Sequence, residues 1–159
     1  MRARQAGFTL IEMVVVLAII AILALMAVPS MQARLVREQI VEAMPLVDLA
    51  RRPVASMWST ARELPQDNAA AGLPPPDRIV GNHVSSVRVE DGAVHVTFGN
   101  QANGALRGRT LTLRPAVVED APVVPVAWVC GHAPVPQRMT VHGRNRTDVP
   151  ERYLPLNCR

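Results

Sequence analysis

A single carboxylate, Glu12, stands inside an otherwise apolar run over residues 8–28. A helix rising ~1.5 Å per residue spans about 31 Å over that stretch, close to the ~30 Å hydrocarbon thickness of a bilayer. An acid placed there costs about 2.5–3.5 kcal/mol on insertion scales, so Glu12 marks a functional position. Two cysteines, Cys130 and Cys158, and four histidines, His83, His95, His132 and His142, complete the reactive inventory. The histidines show no tight metal-ligand spacing, and no metal or cofactor is expected. The chain carries no nucleophile elbow, phosphate loop or paired catalytic acids, and we do not read it as an enzyme.

Arg2 and Arg4 precede the run and hold the short leader on the cytoplasmic side by the positive-inside bias. A secretory signal has an apolar region of only ~7–15 residues, and a buried acid fits it badly. A plain membrane anchor explains the length but not Glu12. The motif Gly7-Phe8-Thr9-Leu10-Ile11-Glu12 resembles the processing site of type IV pilins, in particular the short-leader type IVa class. The resemblance implies cleavage between Gly7 and Phe8 by a prepilin peptidase and N-methylation of Phe8. It also implies that Phe8 and Glu12 carry assembly, with the Glu12 carboxylate facing the Phe8 amine of a neighbouring subunit. An unpaired acid among apolar helices is costly, so that pairing makes one axial register the low-energy arrangement.

The elements that must position these residues follow from periodicity. Val36, Ile40, Ala43, Val47, Ala50, Val54 and Met57 alternate steps of four and three, forming one apolar helix face. The spacing predicts a long helix over residues 8–61, with Pro45 and Pro53 as places where it can break. Pro29 aligns with the kink proline of the family. Residues 62–83 are Pro- and Gly-rich and read as a loop. Four strands follow. One carries Val87 and Val89, and after the Asp91-Gly92 turn a second carries Val94, Val96 and Phe98. Residues 109–114 form the third, and Val124, Val126, Trp128 and Cys130 share a face of the fourth. The expected fold is α+β: a long N-terminal helix, membrane-spanning in its first half, packed on a four-stranded antiparallel sheet. Its divisions are a leader at 1–7, a transmembrane and assembly helix at 8–28, and a globular domain at 29–159.

Trp128-Val129-Cys130-Gly131 and the ending Tyr153-Leu154-Pro155-Leu156-Asn157-Cys158-Arg159 resemble the family's last strand and C terminus. In an exported domain Cys130 and Cys158 read as a structural disulfide closing a C-terminal loop. Met31 and Arg34 stand where major pilins of the class commonly carry Tyr, and Ala21 where Gly is frequent. The resemblance thus implies a fibre subunit, held in the inner membrane of a Gram-negative bacterium until it joins an extracellular pilus. Its partners would be other pilin subunits, the prepilin peptidase and the inner-membrane assembly machinery. Twitching motility, adhesion or DNA uptake would follow from a retractile fibre. All seventeen basic residues are Arg, and leader cleavage lowers the formal charge from +4 to +2. Arg138, Arg144, Arg146, Arg152 and Arg159 against Asp148 and Glu151 leave +3 over residues 131–159. Hence the alternative of a minor pilin contacting DNA phosphates through Arg138, Arg144 and Arg146. A pseudopilin of type II secretion shares the N-terminal motif. Asn145-Arg146-Thr147 also matches a glycosylation sequon, a pattern common by chance.

Overall fold

The computed structural model describes residues 7–159, and for residues 27–30 the backbone alone. Arg2 and Arg4 of the leader lie outside the described residues. The chain divides into two units, residues 1–35 and 36–159.

Helix α1 (Leu10–Glu42) and helix α2 (Met44–Ala61) adjoin at Ala43. The break lies two residues before Pro45, which occupies the first turn of α2. A first-turn proline needs no N–H, so the new helix begins where the proline is tolerated. At the junction the Ala43 carbonyl accepts from Leu46 N–H at 3.1 Å and from Val47 N–H at 3.2 Å. Pro53 does not end α2; it is contained within the helix. The helix stops at Arg62, which adopts φ 57° and bonds its N–H to the Trp58 carbonyl.

In the first unit the apolar side chains described over residues 8–26 are exposed, with Phe8, Leu10 and Leu25 among the most open. A helix apolar on all sides has no aqueous solution; lipid or other helices must cover it. The stretch is long and apolar enough to cross a membrane.

The second unit has its own core. Val36, Ile40, Ala43, Val47, Ala50, Val54 and Trp58 are buried along one helix face, so Trp58 rather than Met57 closes the predicted stripe. They meet the sheet built from β1 (Val84–Glu90), β2 (Ala93–Phe98), β3 (Thr110–Val117) and β4 (Ala127–Cys130), antiparallel in the order β1-β2-β3-β4. Val87, Val89, Val94, Val96, Phe98, Leu111 and Leu113 belong to the same hydrophobic cluster as the helix stripe. Asp91 and Gly92 make the predicted hairpin turn, both at positive φ.

Three details differ from the sequence expectation. Strand β3 continues through Pro115, whose carbonyl still accepts the His142 N–H at 3.0 Å. Strand β4 begins only at Ala127, because Pro122 and Pro125 cannot donate to a ladder and residues 118–124 turn instead. A fifth strand, β5 (Thr140–Val141), pairs with the end of β3; two residues are too few to leave a periodic signal.

The loop after α2 shields the outer edge of β1 through one buried side chain. The Asn68 amide donates to the Val87 carbonyl at 3.0 Å and to the Pro74 carbonyl at 2.9 Å, and its oxygen accepts the Val89 N–H at 2.6 Å. Asn68 therefore does a strand's hydrogen bonding at a strand edge. Asn68→Ala strands those buried backbone groups, at ~1–3 kcal/mol each where water cannot reach. Urea unfolding should show a loss of about 3 kcal/mol. A loss below about 0.5 kcal/mol would mean that the edge is already solvated.

Candidate functional site

Gly7 and Phe8 precede the first helical residue, and Phe8 is 79% exposed. Among the described residues a Cβ at Gly7 would meet nothing within 4 Å. Thr9 sits immediately before the helix, and Glu12 lies in its first turn. The Glu12 N–H donates to Thr9 Oγ1 at 3.3 Å, and the Thr9 N–H donates to Glu12 Oε2 at 3.4 Å. This reciprocal pair is a capping box, loose in both bonds, and it satisfies two of the N–H groups that a helix start leaves open. It also places the carboxylate at the positive end of the helix dipole. Thr9 is the residue missed at the sequence level; the Thr-x-x-Glu spacing ahead of an apolar run was the available signal.

At the other end of the chain Cys130 and Cys158 are joined, with their Cα atoms 4.5 Å apart. Gly131 follows at φ 55°, where a Cβ would fall on the Cys158 carbonyl oxygen, so this position demands glycine twice over. The Asn145 amide donates to the Gly131 carbonyl at 2.8 Å while its oxygen accepts the Thr147 N–H at 3.0 Å. The sequon asparagine is thus engaged in holding the disulfide corner. Arg37 and Arg159 both donate to the Arg152 carbonyl, at 2.9 and 3.4 Å, fastening the C-terminal turn to the helix.

The arginines proposed for DNA do not act alike. Arg138 and Arg144 are exposed, whereas Arg146, also exposed, pairs with Glu90. Arg152 stacks over Tyr153, its guanidinium carbon 4.7 Å from the ring centroid. His83 lies 2.9 Å from Glu42 and His142 lies 3.4 Å from Glu119. Among the described residues no three His, Cys, Asp or Glu side chains come together as a metal site.

Comparison with known proteins agrees with both ends of the chain. A family described as pilin (bacterial filament) matches residues 36–159, and the prokaryotic N-terminal methylation motif matches residues 2–28. The chain is 32% identical to the type IV major pilin protein PilE1 of Neisseria gonorrhoeae over 165 residues, covering all of this chain and 89% of that one. It is 32% identical over 169 residues to a fimbrial protein of Neisseria meningitidis serogroup A, covering 100% and 96%. The fimbrial protein EcpC of Eikenella corrodens matches at 31% over 160 residues, covering 98% and 91%. The exposed apolar helix with its single capped acid, the helix-on-sheet domain and the closing disulfide are those of a fibre subunit, and the chain belongs to the type IV pilins.

Proposed function

We propose that this pilin is cut between Gly7 and Phe8, methylated on Phe8, and polymerised through Phe8 and Glu12 into a retractile fibre. The observation that carries this is the exposed apolar helix with one carboxylate at its start. Lipid covers the helix before assembly, and other subunits cover it afterwards. The leader at 1–7, the assembly helix at 8–28 and the domain at 29–159 are the divisions this route needs. Retraction of such a fibre would support twitching motility, adhesion or DNA uptake.

DNA contact is a second reading, favoured by the exposure of Arg138 and Arg144 in a segment of net positive charge. Arg146 contributes less, because Glu90 neutralises it. One experiment addresses both readings. A deletion strain complemented with the wild-type chain should regain sheared fibres and surface motility; absence of both after restoration of the protein contradicts the fibre reading. Complementation with the Arg138→Ala/Arg144→Ala variant should leave fibres and motility intact. DNA uptake falling about tenfold in that strain supports the second reading, and unchanged uptake removes it.

A further inference from the structure

Fibre formation leaves one buried titratable group unused. His95 on β2 is 4% exposed and faces away from the helix, opposite Thr112 of β3. Its Nδ1 lies 2.9 Å from Thr112 Oγ1, and the same hydroxyl accepts the Arg146 backbone N–H at 3.0 Å. Its Nε2 is buried without a hydrogen-bond partner. The hydroxyl has a single hydrogen. With Arg146 N–H on one lone pair, Thr112 can donate that hydrogen to an unprotonated Nδ1, which is the Nε2–H tautomer of the neutral ring.

The neutral ring fits this arrangement and the charged ring does not. A proton on Nδ1 turns that nitrogen into a donor and forces the Thr112 hydrogen to seek another acceptor. It also places a positive charge on a buried ring whose Nε2 has no hydrogen-bond partner. Arg88 and Glu90 face the ring from β1, and Arg146 faces it from the C-terminal segment. Arg114 lies on the same face of β3, two residues from Thr112. Glu90, the acid in this group, is already paired with Arg146. Burial is the largest influence and lowers the His95 pKa; Glu90 raises it, while Arg146 and Arg88 lower it.

Beside the Arg146 N–H bond to the Thr112 hydroxyl, the segment is tied to β3 by neighbouring groups. Thr112 N–H donates to Thr147 Oγ1 at 3.0 Å, Asp148 N–H donates to the Thr110 carbonyl at 3.0 Å, and Thr110 N–H donates to the Asp148 carboxylate. We propose that His95 and Thr112 form an acid-sensitive latch, which fastens residues 145–149 to β3 while the ring is neutral and releases them when it is protonated. Release lets the imidazolium reach water and frees Arg146 from Glu90, so the strap becomes more cationic at its surface in acid. The sign follows from the depressed pKa. Latch stability is fully present above the unfolded value of 6.5 and is lost as pH falls through the folded value.

The test is hydrogen exchange of the full processed chain in detergent at about pH 7.5 and about pH 5, corrected for intrinsic rates. Protection of the peptide spanning 145–149 should fall between the two pH values, while the β1–β2 hairpin keeps its protection. In His95→Gln, which places a neutral hydrogen-bonding amide there and cannot titrate, the fall should vanish. Unchanged protection in the wild type, or the same fall in His95→Gln, overturns the proposal. Should that variant fail to fold, ¹⁵N histidine spectra of the wild type decide. His95 must be the Nε2–H tautomer and titrate where the strap loosens; a strap transition at a pH where His95 does not titrate overturns the latch.

Discussion

Glu12→Val is expected to leave the globular domain folded and the leader cleaved while fibre yield collapses. The variant removes the one acid of the apolar segment, so on the proposed assembly route the Phe8 ammonium of a neighbouring subunit would be left without its counter-charge. Breaking a buried ion pair by deleting one partner costs about 3–5 kcal/mol, or at least a hundredfold in each subunit contact. Glu12→Gln separates the cap seen in the structure from the proposed charge pairing. Glutamine serves equally well in a capping box, so the helix start is preserved and only the charge is lost. Fibre yield in Glu12→Gln should therefore fall nearly as far as in Glu12→Val. Normal fibres from Glu12→Gln would show that the cap, rather than charge pairing, is what assembly needs.

Removing the disulfide has the second large effect, on the domain rather than on assembly. Cys130 and Cys158 are separated by 28 residues, and in the chain-entropy model closing such a loop stabilises by about 3.5 kcal/mol. The enclosed segment contributes Val149 and Leu154 to the core but is otherwise mostly exposed, so it has little burial of its own to hold it. Cys130→Ser/Cys158→Ser should lower the stability measured in urea by about 3–4 kcal/mol and open residues 131–159 to protease first. Reduction of the wild type should reproduce both changes. A loss below about 1 kcal/mol would place the restraint on this segment in the Arg37, Arg159 and Asn145 hydrogen bonds instead.

Most of the fold was legible because the second unit is built from clean periods. The helix stripe from Val36 to Val54 and the alternation of Val94, Val96 and Phe98 each declare one buried face, and one face of each kind leaves a single way to pack them. What stayed hidden depends on contacts distant in sequence. Asn68 reads as an ordinary loop asparagine until β1 lies beside it. Leu106 and Ala102, in a Gly/Asn-rich loop, are buried although nothing periodic marks them. The prolines were informative but their consequences were positional: Pro45 shifts the helix break to Ala43, Pro53 is absorbed, and Pro122 with Pro125 shortens β4. The processing junction was legible as a motif. The capping partner Thr9 is equally visible in the Thr-x-x-Glu spacing ahead of the apolar run.

The most direct measurement is the intact mass of the subunit in pili sheared from cells. The expected species begins at N-methylated Phe8 and lacks both thiol hydrogens of Cys130 and Cys158. Absence of this chain from the sheared fibres, with the protein still beginning at Met1 or retained in the membrane, would contradict its role as a processed pilus subunit.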